Sequence, residues 1–340
     1  MAIATIDDLR QHLQWAIQLE HATLPPYLCA LYSIQPGRNE EATRVIQSVF
    51  VEEMLHMLLA ANLLNAVGGT PAIDRPDFIA RYPAYLPHSA DAFLVPLARF
   101  APETIETFMR IERPEAPDAP GEEDRYDTIG QFYQAIEQGI DALCSKLGEP
   151  NVFTGDPARQ ITPQNFEYGG SGAIVPVYDL ASALQAINEI EEQGEGLKHA
   201  EVWDGARDMF HPEREAVAHY FRYNAILLGR SYKRGDTPQS GPRGERFAVD
   251  WSAVYPMRAN PRTEDYPVDS PVRTKMVEFN TAYCGLLRGL QRALSGDPPS
   301  LSRLVDVMFE LKELAQTLVQ LPSGDGVTTA GPSFEYVPQP

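Results

Sequence analysis

The chain has 340 residues, 44% of them hydrophobic, and a formal charge of -19 from 28 basic and 47 acidic side chains. That length can bury a sizeable core, and an acidic balance with no Lys/Arg run excludes the basic surface a nucleic-acid partner requires. Three widely spaced cysteines, Cys29, Cys144 and Cys284, without a Cys-x-x-Cys pair, form neither a disulfide framework nor a zinc knuckle and point to a cytoplasmic location.

The N-terminus, MAIATIDDLR, carries acids where a signal peptide carries bases, and no apolar run approaches the roughly 20 residues of a span, so no membrane association is expected. Helix 1 is predicted from near Thr5, in a loose capping box with Asp8, to about Leu24, where Pro25 and Pro26 disturb it. Helix 2 is predicted from about Glu40 to Val67, closed by Gly68, Gly69 and Pro71. From Pro71 to about Val177 prolines are frequent, and two segments read as helical, roughly Ala90 to Arg110 and Thr128 to Leu147. Helix 3 follows from about Asp179 to His199 and helix 4 from about Pro212 to Leu228. After an irregular stretch from Gly235 to Pro267, two last helices are expected, about Pro271 to Leu294 and Ser300 to Leu321.

The informative residues interrupt hydrophobic stripes. Ile6, Leu9, Leu13, Ile17, Glu20 and Leu24 follow steps of three and four, which place Glu20 on the buried face of helix 1. Ile46, Val49, Glu53, His56, Ala60, Leu63 and Val67 do the same on helix 2, so a Glu-x-x-His faces inward. A buried carboxylate must be paired or bound to a metal. A di-metal carboxylate site takes a Glu from each of two bundle helices and a Glu-x-x-His from each of the other two.

The second half is less regular. Helix 3 offers Glu189, Glu191, Glu192, Glu195 and His199, and helix 4 offers Glu215 and His219, with no second Glu-x-x-His. Against the stripe Leu180, Leu184, Ile187 and Ile190, an ideal helix turns Glu191 and Glu195 nearer the core than Glu192. Glu52, Glu215 and His21 fall off the inner faces and read as surface groups, and Tyr27, Tyr220 and Tyr223 as packing groups or partners of ligands. Solvated acidic faces and a hydrogen-bonded core histidine remain the competing readings for helix 3 and His219.

The runs LEHATLPPYL (19–28), VEEMLHMLLAANLLNAVGGTP (51–71), YDTIGQFYQAI (126–136), IEEQGEG (190–196), HYFRY (219–223) and TAGPSFEY (329–336) together resemble one family over nearly the whole chain. It is the ferritin-like domain family that includes part of the violacein-pathway iminophenyl-pyruvate dimer synthase. The resemblance implies metal ligands at Glu20, Glu53 and His56, with Glu192, Glu195 and His219 as the remainder, and it prefers Glu192 to Glu191. The pathway synthases are much longer, and this chain resembles their ferritin-like portion.

The expectation is therefore an all-α chain: a ferritin-like four-helix bundle over 1–230, with a long insert at 71–177 between helices 2 and 3, and a C-terminal extension over 231–340 whose two extra helices pack on the bundle as one structural unit. The function expected is that of a metal-dependent, di-iron oxidoreductase, with manganese as the alternative metal. It would act with O₂ or peroxide on a small organic, amino-acid-derived substrate in secondary metabolism, in a chain that can pair as a homodimer. The alternative is a non-catalytic metal-binding or structural bundle.

Overall fold

Thr5 and Asp8 cap each other's backbone as a full capping box, and the helix they start, α1 (Ile6–Ser33), continues through both prolines. This corrects the expected stop at Leu24. Pro26 cannot donate to the carbonyl of Ala22, and the hydroxyl of Tyr82 fills that position at 2.7 Å. A short connection leads to α2 (Glu40–Ala66), where Gly68, at φ +74°, ends the helix and Gly69 N–H returns to the carbonyl of Leu64.

The computed structural model describes residues 3–89, 93–114, 126–165, 170–195, 201–207 and 215–338. The remaining helices are α3 (Pro102–Ile111), α4 (Ile129–Leu147), the single turn α5 (Glu149–Val152), α6 (Leu180–Glu195), α7 (His219–Leu228), α8 (Pro271–Leu294) and α9 (Leu304–Leu318). The all-α class stands. Boundaries differ from expectation where the segment placed at Ala90 to Arg110 is helical, among its described residues, only from Pro102, where helix 4 begins at His219, and where the last α-helix begins at Leu304; helix 3 is helical through Glu195, and its expected end at His199 lies outside the described residues. Ahead of it, β1 (Trp203–Arg207) and β2 (Glu215–Val217) form an antiparallel pair. That pair delivers the chain to α7, because Ala218 N–H donates to the carbonyl of Val202.

Packing follows the apolar faces. Helix α2 lies against α1 and α6, and α4 lies against the same two, so these four close around one core. The segment expected as an insert thus supplies α4 to the bundle. Helix α7 packs on α3 and reaches α2 and α6, which holds the α3–α7 pair against the bundle. Buried residues of α8 and α9, among them Met276, Phe279, Leu311 and Leu318, belong to the same apolar cluster as Leu13 and Ile46.

Buried amides fasten the irregular segments. Asn62 donates to the carbonyls of Ile161 and Val175 and accepts from Ile161 N–H, while Asn65 donates to the carbonyl of Leu294 on α8. Asn280 grips the C-terminal tail through Ser333 and the backbone of Glu335, with Phe334 stacked edge-on against Phe279 and Tyr283. The three cysteines are free and buried.

By length and composition alone, helix α2 is long and apolar enough to cross a membrane. The relevant window is 83% buried inside the protein, as befits a core helix packed on several sides.

Tyr82→Phe should lower stability by about 1–3 kcal/mol, because it leaves the Ala22 carbonyl buried without a donor. Urea unfolding checks this; an unchanged midpoint would show that the carbonyl is satisfied otherwise.

Candidate metal centre

Glu20 on α1 and Glu53 and His56 on α2 are each at most 2% exposed. Their ligand atoms lie within 4.8 Å of one another. A second group, equally close, is made of Glu53 again, Glu112 just past the end of α3, and His219 at the start of α7. Glu53 belongs to both. Its Oε1 is 3.5 Å from Nδ1 of His56 and 3.1 Å from Nδ1 of His219, and the two rings stack at 5.5 Å.

Each member is held from behind. The hydroxyl of Tyr133 donates to Glu20, that of Tyr27 to Glu112, and that of Thr23 to Glu53 at 2.9 Å. Nε2 of His56 is 2.9 Å from Oε1 of Gln193, whose own amide nitrogen donates to the carbonyl of Ser171. That second bond fixes the amide's orientation, so Nε2 carries the hydrogen and Nδ1 is left for the centre. Nε2 of His219 likewise faces Glu52 Oε2 at 2.9 Å.

Glu52 in turn meets Arg222 on α7, and Arg222 also contacts Asp204 of β1 at 3.0 Å and Ser48 on α2. Ser171 joins the two supports, because its hydroxyl donates to Glu52 and its carbonyl accepts from Gln193. Gly172, at φ +83°, makes that loop possible: a Cβ there would lie 2.1 Å from Glu189 and 2.2 Å from Gln193.

The sequence candidates therefore divide. The structure brings Glu20, Glu53, His56 and His219 together. Glu192 is half-buried and outside both groups, and the side chain of Glu195 lies outside the described residues. On α6 the inward stripe of Ala183, Ala186, Ile187 and Ile190 runs on to Gln193. Glu191 lines the cavity beside Ile190 and Gly194. The surface assignments of Glu52 and His21 are corrected, since they are 1% and 3% exposed, and His21 pairs with the Tyr283 hydroxyl at 2.6 Å. Glu215 is partly exposed and faces Arg234 at 3.6 Å. Glu112 was missed, although it continues the spacing of Ile105 and Phe108; the helix was expected to end two residues before it.

The charges are strongly coupled. Burial pushes Glu20 up to about 7, against the pull of His56. Burial would lower His56, but Glu20 and Glu53 raise it to about 10, and Glu112, Glu52 and Glu53 likewise hold His219 well above the usual imidazole range. Burial opposes ionisation of Glu53 and Glu52, yet both lie below the usual carboxylate range, Glu53 through the two imidazoles and Glu52 at about 2 through Arg222 and His219. Glu112 is raised by burial and by the charge of Glu53. Without a metal, protons on the imidazoles supply the positive charge that the acids demand.

The donor set fits a pair of hard or borderline divalent ions: buried carboxylate oxygens, two imidazole Nδ1 atoms aimed inward, and a shared carboxylate between them. A cavity reaches Glu20, Glu53, His56 and Glu112 between the apolar walls of Ile111, Ile129 and Ile190.

A Glu/His centre inside a helical bundle defines a class of protein. The ferritin-like family model matches residues 13–228, and the chain belongs to that family. Two curated enzymes are similar to it. Dichlorochromopyrrolate synthase of Lentzea aerocolonigenes is 26% identical across 99% of this chain and 37% of its own length. The 2-imino-3-(indol-3-yl)propanoate dimerase of Chromobacterium violaceum is 27% identical across 95% of this chain and 33% of its own. The chain thus spans about a third of the length of these curated relatives. A ferritin-like protein from Caulobacter vibrioides, known as a crystal structure, shares the fold with a TM-score of 0.63 at 23% identity, covering 98% of this chain and 99% of that one.

The protonated imidazoles set a pH dependence for metal-stripped protein. His56 rises from 6.5 unfolded to about 10 folded, so its contribution is complete below pH 6.5 and is lost as pH climbs toward 10. Glu52 and Glu53 work in the other direction, their contribution being lost as pH falls below 4.5. Denaturation midpoints should therefore fall as pH rises from 6.5 toward 10 and fall again as pH drops below 4.5, and a flat profile from pH 6.5 to 10 would contradict the charge assignment.

Proposed function

We propose that the chain is a di-metal oxidoreductase, with iron as the first candidate and manganese as the second, acting with O₂ or peroxide on a small organic substrate. The carrying observation is that Glu53 is shared between two buried Glu/His groups. One ion would be held by Glu20, Glu53 and His56, the other by Glu53, Glu112 and His219. Glu191, at the cavity wall, is placed to add a fourth carboxylate. The names of the curated relatives, a synthase and a dimerase of an indolyl imino acid, support an amino-acid-derived substrate in secondary metabolism.

Bound metal would mediate electron transfer from the substrate to O₂ or peroxide, which is the oxidant. The chain's own residues do the rest. Tyr133 and Tyr27 fix the rotamers of Glu20 and Glu112, Thr23 fixes Glu53, and Gln193 and Glu52 keep both Nδ1 atoms turned inward. Ile111, Ile129 and Ile190 keep the cavity apolar, which limits water at the centre, while Gly130 and Gly194 present no side chain there.

A second reading is a metal-free polar network, favoured by the ion pairs that already link both imidazoles to the acids. Elemental analysis of protein purified without chelator separates the two. The expected result is close to two irons or manganese ions per chain, with Glu53→Ala losing both while remaining folded. Folded wild-type protein without metal after anaerobic iron loading would establish the polar network instead.

A further inference from the structure

The donor set is nearly two-fold symmetric. Glu20 with Tyr133 mirrors Glu112 with Tyr27, His56 mirrors His219, and Glu53 lies between. The symmetry fails in two independent places. Behind His56 stands the neutral amide of Gln193, whereas behind His219 stands the carboxylate of Glu52, with Arg222 and Asp204 next in line. The cavity touches Glu20, Glu53, His56 and Glu112, whereas His219, at 0% exposure, does not line it.

We infer that the two metal positions, whose existence rests on the reading above, are unequal: the His219 position, whose imidazole does not reach the cavity, is the more enclosed and tightly held, and the His56 position, all three of whose ligands line the cavity, is the exchangeable one that faces substrate and oxidant. Two effects converge on this. A carboxylate accepting the Nε2 hydrogen makes Nδ1 of the same ring a better donor to a metal than an amide does. Enclosure adds to it, because closed sites retain metal while sites that do chemistry keep a coordination position open.

Stepwise addition of Mn(II) to metal-stripped full-length protein, followed anaerobically by EPR of free Mn(II) and by calorimetry, tests the assignment. Two steps alone do not decide it, since two cations sharing Glu53 repel each other in any case. The variants decide. His56→Ala should keep the tight step and lose the weak one, and His219→Ala should lose the tight one. Glu52→Gln should weaken the tight step by about 10–100-fold, and Gln193→Glu should strengthen the weak one. Should Glu52→Gln not fold, the two histidine variants carry the test unaided.

Loss of the tight step in His56→Ala, or binding constants unchanged within about twofold in both folded support variants, would overturn the inequality and leave the di-metal reading standing. Folded wild-type protein that takes up no Mn(II) would overturn the metal centre itself, and the inequality with it.

Discussion

The structure is organised around buried carboxylates that converge on one point, where the positive charge seen among the described residues comes from imidazoles. Glu20, Glu53 and Glu112 converge on one point inside the bundle, and the buried guanidinium of Arg222 is engaged by Glu52 and Asp204. Taking a carboxylate out of water costs several kcal/mol unless opposite charge and hydrogen bonds return it. The two imidazoles return part of it by holding protons, and a metal pair would return more. Removing either histidine alone would strand an acid in the core.

That constraint explains features that would otherwise look costly. A helix carrying two consecutive prolines is a poor choice in isolation, yet α1 must remain straight enough to present Glu20 and Thr23 to the centre, and Tyr82 repairs one of the two missing hydrogen bonds. The β1–β2 pair is small, but it fixes where α7 begins and brings Asp204 to Arg222, and through Arg222 and Glu52 it orients His219. Gly172 lets a loop lie close enough to α6 for Ser171 to join the supports of both rings.

Legibility in the sequence followed the regularity of the element carrying each residue. Glu20, Glu53 and His56 stand on two long helices whose apolar steps continue on either side of them, so direction could be read from spacing. His219 was named although its helix was misplaced: the strand ahead of α7 is three residues long and too short to show alternation. Glu112 escaped because it lies one residue beyond the last turn of a ten-residue helix, where the stripe has almost run out. Glu52 and His21 were assigned to the surface on the premise that a helix buries one face. From Leu55 to Ala66 every residue of α2 is buried, and a helix enclosed on all sides gives no contrast from which to read orientation. On α6, periodicity favoured Glu191 and the family resemblance favoured Glu192; of the two, Glu191 is the one at the cavity.

Charge balance gives Glu191 a further significance. Two divalent ions against Glu20, Glu53 and Glu112 with neutral imidazoles leave one positive charge in a setting of low dielectric constant. A fourth carboxylate would cancel it, and oxidation of the ions would unbalance the centre again. Glu191 lines the cavity wall beside Gly194, where a Cβ would meet nothing within 4 Å, so it stands at the edge of the centre and not within the bundle interior. The fully buried acids, Glu20, Glu53 and Glu112, would then define where the metals sit, and the cavity-wall acid would complete their charge. This division matches the asymmetry of the supports, with the cavity-wall acid beside His56 and the Glu52–Arg222 pair behind His219.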